Sequence, residues 1–248
     1  MRGFPGMIGS IDCMHWAWKN CPSAWQCAYG DRKGAKSIIL EAVASFDTWI
    51  WHAFLRVMRA QNDLNFFAKS PVFNNVLQGK APKVTYCING RMYDGPYFLV
   101  DGIYPRWSTF VKTVPYPRSA KEKHFASCQD GCRKDVEHCF GILQARWAIV
   151  KGVARLFNVE SLRSIMMMCI ILHNMIVEDE YDYDVVDEYE PDTMNNSRTR
   201  IYCAHDAIEE PVQHEPLESD GRYNELISQR YTALQKPYMH NARQIDLI

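Results

Sequence analysis

Three acidic residues lie in segments whose residue types suit phosphodiester chemistry. Asp12 and Asp101 each follow a short apolar run that predicts a buried strand, and Glu137 lies in a long segment with helical periodicity. Carboxylate oxygens are preferred ligands of Mg²⁺ and Mn²⁺, and two such ions about 3.5–4 Å apart can stabilise the attacking and leaving oxygens of a phosphate displacement. We therefore expect Asp12, Asp101 and Glu137 to converge as catalytic metal ligands, with Mg²⁺ or Mn²⁺ as the cofactor.

Each acid also has an ordinary structural interpretation. Asp12 and Asp101 can stabilise turns through hydrogen bonds to the backbone. Glu137 follows Arg133 by four residues, which is the spacing of a helical ion pair. Glu137 also lies next to Val136, one residue of an apolar helical stripe, so its carboxylate can point over the edge of a sheet. Taken singly, these residues leave both interpretations open.

Hydrophobic patterning predicts the elements that would position these acids. Runs rich in Ile, Val, Phe and Trp predict strands at 7–18, 37–46, 49–58, 83–88, 91–93 and 97–100. Helical periodicity and helix-start signals predict helices at 70–77, 119–150 and 159–178. Asn89-Gly90 predicts a hairpin turn, and Asp47-Thr48 predicts a second tight turn. By itself, this pattern predicts a mixed α/β domain.

The charge of the 248-residue chain is distributed unevenly. Residues 1–178 contain 22 Lys or Arg and 13 Asp or Glu, whereas residues 179–248 contain 6 and 16. A basic body favours a polyanionic partner such as DNA through phosphate contacts, although many ordinary soluble proteins carry a similar excess. The segment 181–248 contains few apolar residues, so we expect it to be an acidic, disordered tail.

The nine cysteines include no Cys-x-x-Cys pair, which favours a reducing intracellular compartment. Cys13, His15, Cys21 and Cys27 follow no standard zinc-ligand spacing, so structural roles are favoured over a zinc site. The longest apolar run, residues 165–177, is shorter than the roughly 20 residues that span a bilayer. We therefore expect no membrane partner.

Four long motifs carry a family resemblance. They are Gly-Ser-Ile-Asp-Cys-Met-His-Trp at 9–16, Leu-Val-Asp-Gly-Ile-Tyr-Pro at 99–105, Arg-Lys-Asp-Val-Glu-His-Cys-Phe-Gly-Ile-Leu-Gln-Ala-Arg-Trp at 133–147 and Ile-Leu-His-Asn-Met-Ile-Val-Glu-Asp-Glu at 171–180. In order and content they resemble the DDE domain of the plant-type branch of PIF/Harbinger transposases and of the nucleases domesticated from them.

The resemblance implies a fold, an activity and a further metal ligand. The fold would be an RNase H-like mixed sheet flanked by helices, with residues 1–180 as the nuclease or transposase domain and the family's N-terminal region absent. The activity would be divalent-metal-dependent DNA cleavage and strand transfer. Asp63 would be a fourth metal ligand beside Asp12, Asp101 and Glu137. The residues before Asp63 depart from the family's small, Gly-rich turn.

The resemblance also implies partners and a location. DNA would be the substrate, a separate Myb-like protein would help to bind it, and the chain would enter the nucleus with that partner, leaving a possible cytoplasmic pool. The candidate DNA contacts are His15, Lys19, Arg133, Lys134 and Arg146, each of which could equally be a solvated surface side chain. A domesticated, non-cutting DNA-associated or chromatin factor is the rival interpretation, and a truncated gene product is a third.

Overall fold

A five-stranded mixed sheet lies at the centre of the computed structural model, which describes residues 3–30, 34–56, 84–180, 232 and 236–248. In chain order the strands are β1 (Met7–Ala17), β2 (Ser37–Ala44), β3 (Ile50–Arg56), β4 (Thr85–Ile88), β5 (Arg91–Asp94), β6 (Tyr97–Val100) and β7 (Phe110–Lys112). The sheet has the order β3-β2-β1-β6-β7. Its first three strands are antiparallel, β6 and β7 run parallel to β1, and β4 and β5 form a separate hairpin.

The sequence patterning predicted six of the seven described strands and missed β7. Each predicted strand is present, and its described ends differ from the predicted ones by two residues at most. Asn89 and Gly90 have positive φ angles of 49° and 77°, as a type I′ hairpin turn requires. The predicted helix at 70–77 lies outside the described residues. The expected mixed α/β class is therefore confirmed.

The described helices are α1 (Gln26–Tyr29), α2 (Ala120–Arg146), α3 (Ala148–Lys151), α4 (Val159–Asp179) and α5 (Pro237–Leu247). A capping box starts α2, because Ser119 Oγ accepts the Glu122 N–H at 3.1 Å and Glu122 Oε2 accepts the Ser119 N–H at 3.1 Å. The prediction of one helix over 119–150 is wrong at its end. Trp147 adopts an extended backbone (φ −120°, ψ 101°) and packs its ring against the core, which separates α2 from α3.

The two faces of the sheet carry separate apolar clusters. On one face, Trp16 and Leu40 pack with Val136 of α2 and Met166 of α4. On the other face the cluster consists of Ile11, Val43, Phe98, Val100, Tyr104, Trp107 and Phe110. Burial on both faces stabilises the sheet by the hydrophobic effect, at roughly 25 cal/mol per Å² of apolar surface. The strand that carries Asp12 and the strand that precedes Asp101 are therefore packed on both faces.

Two neighbouring polar residues of α4 hold the β2–β3 hairpin. Asn174 Oδ1 accepts the Ile50 N–H at 3.0 Å, and Asn174 Nδ2 donates to the Ile50 carbonyl at 2.9 Å. The buried His173 places Nε2 2.8 Å from the carbonyl oxygen of Thr48, whose φ is +64°. By length and composition alone α4 could cross a membrane, but these contacts show one of its sides bonded to the hairpin.

The last residues of the chain differ from the expected disordered tail. α5 begins at Pro237 and packs against β7 and β4. The buried Arg243 places its guanidinium carbon 5.2–5.9 Å from the ring centres of Tyr86, Tyr93 and Tyr97. These cation–π contacts and the apolar end of α5 stabilise its packing against the strands. The acidic composition of residues 181–248 gives no sign of this packing. Pro237–Leu247 thus form a packed helix within this segment, whereas 181–231 and 233–235 lie outside the described residues.

Candidate active site

Parallel pairing of β1 with β6 brings two of the acids together. Asp12 lies inside β1, within the strand predicted at 7–18. The register pairs Gly9 with Phe98 and Ser10 with Leu99. Continuing it by two residues sets Asp12 level with Asp101, which follows the end of β6. Neighbouring parallel strands thus present both carboxylates at the same level of the sheet.

Helix α2 lies across the same side of the sheet and carries the third acid. Successive residues of a strand alternate between its faces, so Ser10 and Asp12 share one face. Ser10 Oγ donates to the Cys132 carbonyl at 3.0 Å, which fixes α2 over β1. The buried Gln129 donates to the Val100 carbonyl at 3.0 Å, which fixes α2 over the end of β6. Glu137 is therefore held over the strands that present Asp12 and Asp101.

Arg133 joins the acids of β1 and α2. Its Nη1 atom lies 3.4 Å from Asp12 Oδ2 and also contacts Glu137 Oε1. Its Nη2 atom lies 3.3 Å from Asp130 Oδ1. The Arg133 side chain is only 15% exposed, so water screens these ion pairs less than it would at the surface. Asp12 and Glu137 thus converge on one guanidinium group.

The charges of the other two acids act on Asp12. Burial raises the pKa of Asp12, and the charges of Glu137 and Asp101 raise it further, against the lowering effects of the Cys13 N–H and Arg133. Burial acts to lower the pKa of Arg133, but nearby carboxylates, Asp101 among them, outweigh it, so the pKa is raised. The site therefore favours an added positive charge.

The chemistry of this site suits a divalent cation. Carboxylate oxygens are hard ligands, and a cation would relieve the cost of placing the half-buried Asp12 next to two other negative charges. As the side chains stand, no group of three His, Cys, Asp or Glu residues in the described ranges could hold a metal ion. Arg133 lies between Asp12 and Glu137 instead. Asp12, Asp101 and Glu137 are the residues that would hold the ion.

The structure brings together only some of the other candidate residues. His15 lies on the opposite face of β1 from Asp12 and contacts Ser37 Oγ through Nδ1 at 2.9 Å. Lys19 is exposed beyond the end of β1. Lys134 is exposed on α2 and pairs with Asp130 at 2.8 Å.

Two further candidates, Arg146 and Asp63, are not seen at the site. Arg146 connects α2 to α4, because it lies 3.2 Å from His173 Nδ1 and 2.7 Å from Glu180. Asp63, the expected fourth ligand, lies outside the described residues. Among the basic candidates, Arg133 alone contacts the acids of the site within the described part of the chain.

Two residues near the site were not identified from the sequence. Lys112 pairs with Val100 across β6 and β7, so its side chain shares the face of Val100, opposite α2, and its Nζ atom donates to the Tyr104 carbonyl at 2.5 Å. Burial lowers the pKa of Lys112, as does Arg106, whereas the charge of Asp101 raises it. Gln129 positions α2 against the end of β6. Only the strand register shows that Lys112 lies close enough to Asp101 for this effect, and a buried Gln on a helix has no distinctive sequence pattern.

Comparisons with known proteins agree with this description. Residues 1–184 match the family model described as "Plant transposon protein". The mouse (Mus musculus) protein named "Putative nuclease HARBI1" is 23% identical over 184 residues, which are 73% of this chain and 49% of that protein. The chain thus spans about half the length of this curated relative, and no solved structure matches it. With residues 1–184 of its 248 matched by the family model, this chain belongs to the Harbinger-related plant transposon protein family.

Proposed function

We propose that residues 1–180 form a divalent-metal-dependent DNA endonuclease and strand-transfer domain derived from a Harbinger transposase. One observation carries this proposal: Asp12 and Asp101 lie level on neighbouring parallel strands, and Glu137 lies over them on α2. Three carboxylates from three elements are a suitable ligand set for Mg²⁺ or Mn²⁺. The similarity to a protein named as a putative nuclease supports the same conclusion.

We further propose that the fold is RNase H-like. The sheet starts with three antiparallel strands, β1 to β3, and continues beyond β1 with the parallel strands β6 and β7. The acids come from the central strand β1, from the end of its parallel neighbour β6, and from the long helix α2. This order places the acids at one level of the sheet, where an extended DNA strand can reach them.

Asp12, Asp101 and Glu137 would hold divalent cations, whose charge would favour the attacking and leaving oxygens of a phosphodiester displacement. Ser10 and Gln129 keep α2 in register with the strands that carry these acids.

Partners and location are part of the proposal. The basic body, residues 1–178, would bind the DNA backbone without reading its sequence. Sequence recognition would come from a separate Myb-like protein, and the chain would act in the nucleus. Asp63 would act as a fourth metal ligand.

A non-cutting DNA-binding factor is the second candidate, and one observation favours it. Arg133 already neutralises part of the charge on Asp12 and Glu137, so the carboxylates have a structural function without any metal. A chain that had lost catalysis could keep these acids for stability. Intact acids therefore do not by themselves separate cleavage from binding.

Nicking of supercoiled plasmid in Mg²⁺ or Mn²⁺ tests the proposal. The wild-type chain is compared with Glu137→Gln and with Glu160→Gln. Glu160 is a suitable control because it is an exposed helical glutamate that pairs with Arg163 at 3.2 Å, much as Glu137 pairs with Arg133. We expect Glu137→Gln to abolish metal-dependent nicking, and Glu160→Gln to leave it unchanged. DNA affinity measured without metal should be the same for all three proteins.

Two results would contradict the proposed activity. Wild-type protein that fails to nick DNA in either metal supports the binding factor instead. Equal nicking by wild type and Glu137→Gln excludes Glu137 from the chemistry. If Glu137→Gln loses DNA binding and thermal stability together with nicking, Glu137 is structural.

A further inference from the structure

Arg133 contacts the same carboxylates that would hold a metal. One nitrogen, Nη1, serves both Asp12 Oδ2 and Glu137 Oε1, which belong to a strand and to a helix respectively. The second nitrogen, Nη2, contacts Asp130 one turn earlier on α2. Among the described ion pairs, Arg133 is distinctive in having three acidic partners. An ordinary ion pair between helical residues four positions apart involves one acid, whereas Arg133 contacts three.

A cation and the guanidinium group would compete for the same oxygen atoms. Asp12 Oδ1 already accepts the Cys13 N–H at 2.8 Å, so Oδ2 is the oxygen that faces Arg133. An ion that bound Asp12 Oδ2 and Glu137 Oε1 together would lie close to Nη1, which contacts both atoms, and the two positive charges would repel each other. Binding of the ion therefore weakens the two ion pairs of Arg133 at these oxygens.

We propose that Arg133 is an exchangeable counter-cation, which holds Asp12 and Glu137 together without metal and is displaced onto a DNA phosphate when a divalent ion binds. This inference rests on the proposed function, because it concerns the same carboxylates. A planar guanidinium suits both states, since its fork can bridge two carboxylates and can also bind a phosphate. Arg133 would thus couple metal binding to DNA binding.

Mn²⁺ binding to the metal-free chain tests the first half of the exchange. Free Mn²⁺ is measured by electron paramagnetic resonance during titration of wild type, Arg133→Gln, Arg133→Lys and the control Arg163→Gln. Arg163 is matched because it is a helical arginine that pairs with a glutamate at 3.2 Å. Removing a competitor should tighten Mn²⁺ binding roughly five- to thirtyfold in Arg133→Gln. Arg133→Lys should lie nearer to wild type, and Arg163→Gln should equal it.

Salt dependence of DNA binding tests the second half. Affinity for a short duplex is measured across salt concentrations, without metal and with Ca²⁺, which takes similar oxygen ligands, and a gel checks that the duplex stays intact. One phosphate contact changes the slope of log K against log salt by about one. With Ca²⁺, the slope for wild type should be steeper than the slope for Arg133→Gln by about one. Without metal, the two slopes should agree.

The outcomes separate this inference from the proposed function. If wild type binds Mn²⁺ and Arg133→Gln binds it no more tightly than Arg163→Gln does, the exchange is wrong while the metal site stands. Equal salt slopes with Ca²⁺ would likewise reject the transfer of Arg133 to DNA. If neither wild type nor Arg133→Gln binds Mn²⁺, both the metal site and the exchange are wrong.

Discussion

Replacing Asn174 by Ala should destabilise the fold far more than its half-buried position suggests. β3 lies at the end of the sheet order, so one side of its backbone has no strand partner among the residues that the structure describes. Asn174 supplies that partner at Ile50 through hydrogen bonds of 3.0 and 2.9 Å to the N–H and the carbonyl. Each such bond contributes about 0.5–1.5 kcal/mol, and groups left unpaired add to the loss. We expect the unfolding free energy to fall by about 2–3 kcal/mol.

Equilibrium unfolding in urea, followed by circular dichroism, measures this change. Asn174→Asp keeps the acceptor for the Ile50 N–H but loses the donor to the carbonyl, so it shows whether both bonds contribute. Met175→Ala is the control, because Met175 is the next residue of α4 and is 61% exposed. The control should change stability by about 0.5 kcal/mol or less. If Asn174→Ala matched the control, the backbone clamp on Ile50 would contribute nothing and the reasoning would be refuted.

Two further perturbations test single features of the fold. Ser119→Ala removes the capping box of α2 and should lower the unfolding free energy by about 1 kcal/mol, whereas Ser164→Ala, in the exposed interior of α4, should have little effect in the same urea assay. Burial lowers the pKa of His52 to about 4, so folded His52 binds a proton less readily than it does in the unfolded chain. Stability should therefore fall as the pH drops from 6.5 towards 4, by up to about 1.4 kcal/mol per unit from this residue. His52→Gln should lose less stability in that interval, and parallel pH profiles for the two proteins would contradict the assignment.

Local patterning predicted the elements because their signals are local. The strands are β-branched and aromatic, and Asn89-Gly90 fits a turn that needs two positive φ angles. The split at Trp147 was missed because it depends on a tertiary contact of the indole ring. The helix α5 was missed for a similar reason: Arg243 reads as a surface charge until the rings of Tyr86, Tyr93 and Tyr97 surround it.

Acid types and positions in the sequence indicated the candidate residues, but the electrostatic interactions among them depend on strand register. Asp12 and Asp101 are 89 residues apart, and only the parallel pairing of β1 with β6 puts them level. The pair of Arg133 and Glu137 follows from helical spacing, whereas the contact of Arg133 with Asp12 needs α2 to lie over β1. The effect of Asp101 on the pKa of Lys112 likewise depends on the register of β6 with β7.

The clustering of the acids has a cost that explains why Arg133 lies among them. Burial and two neighbouring carboxylates make the charged form of Asp12 unfavourable, so its pKa is raised. A group whose pKa is higher in the folded than in the unfolded chain destabilises the fold as the pH rises above its ordinary value. A core built only for stability would have an apolar or neutral residue at this position, next to the buried Ile11. The chain instead keeps a charged residue and offsets it with Arg133 from α2, which leaves the carboxylates in place for a stronger cation.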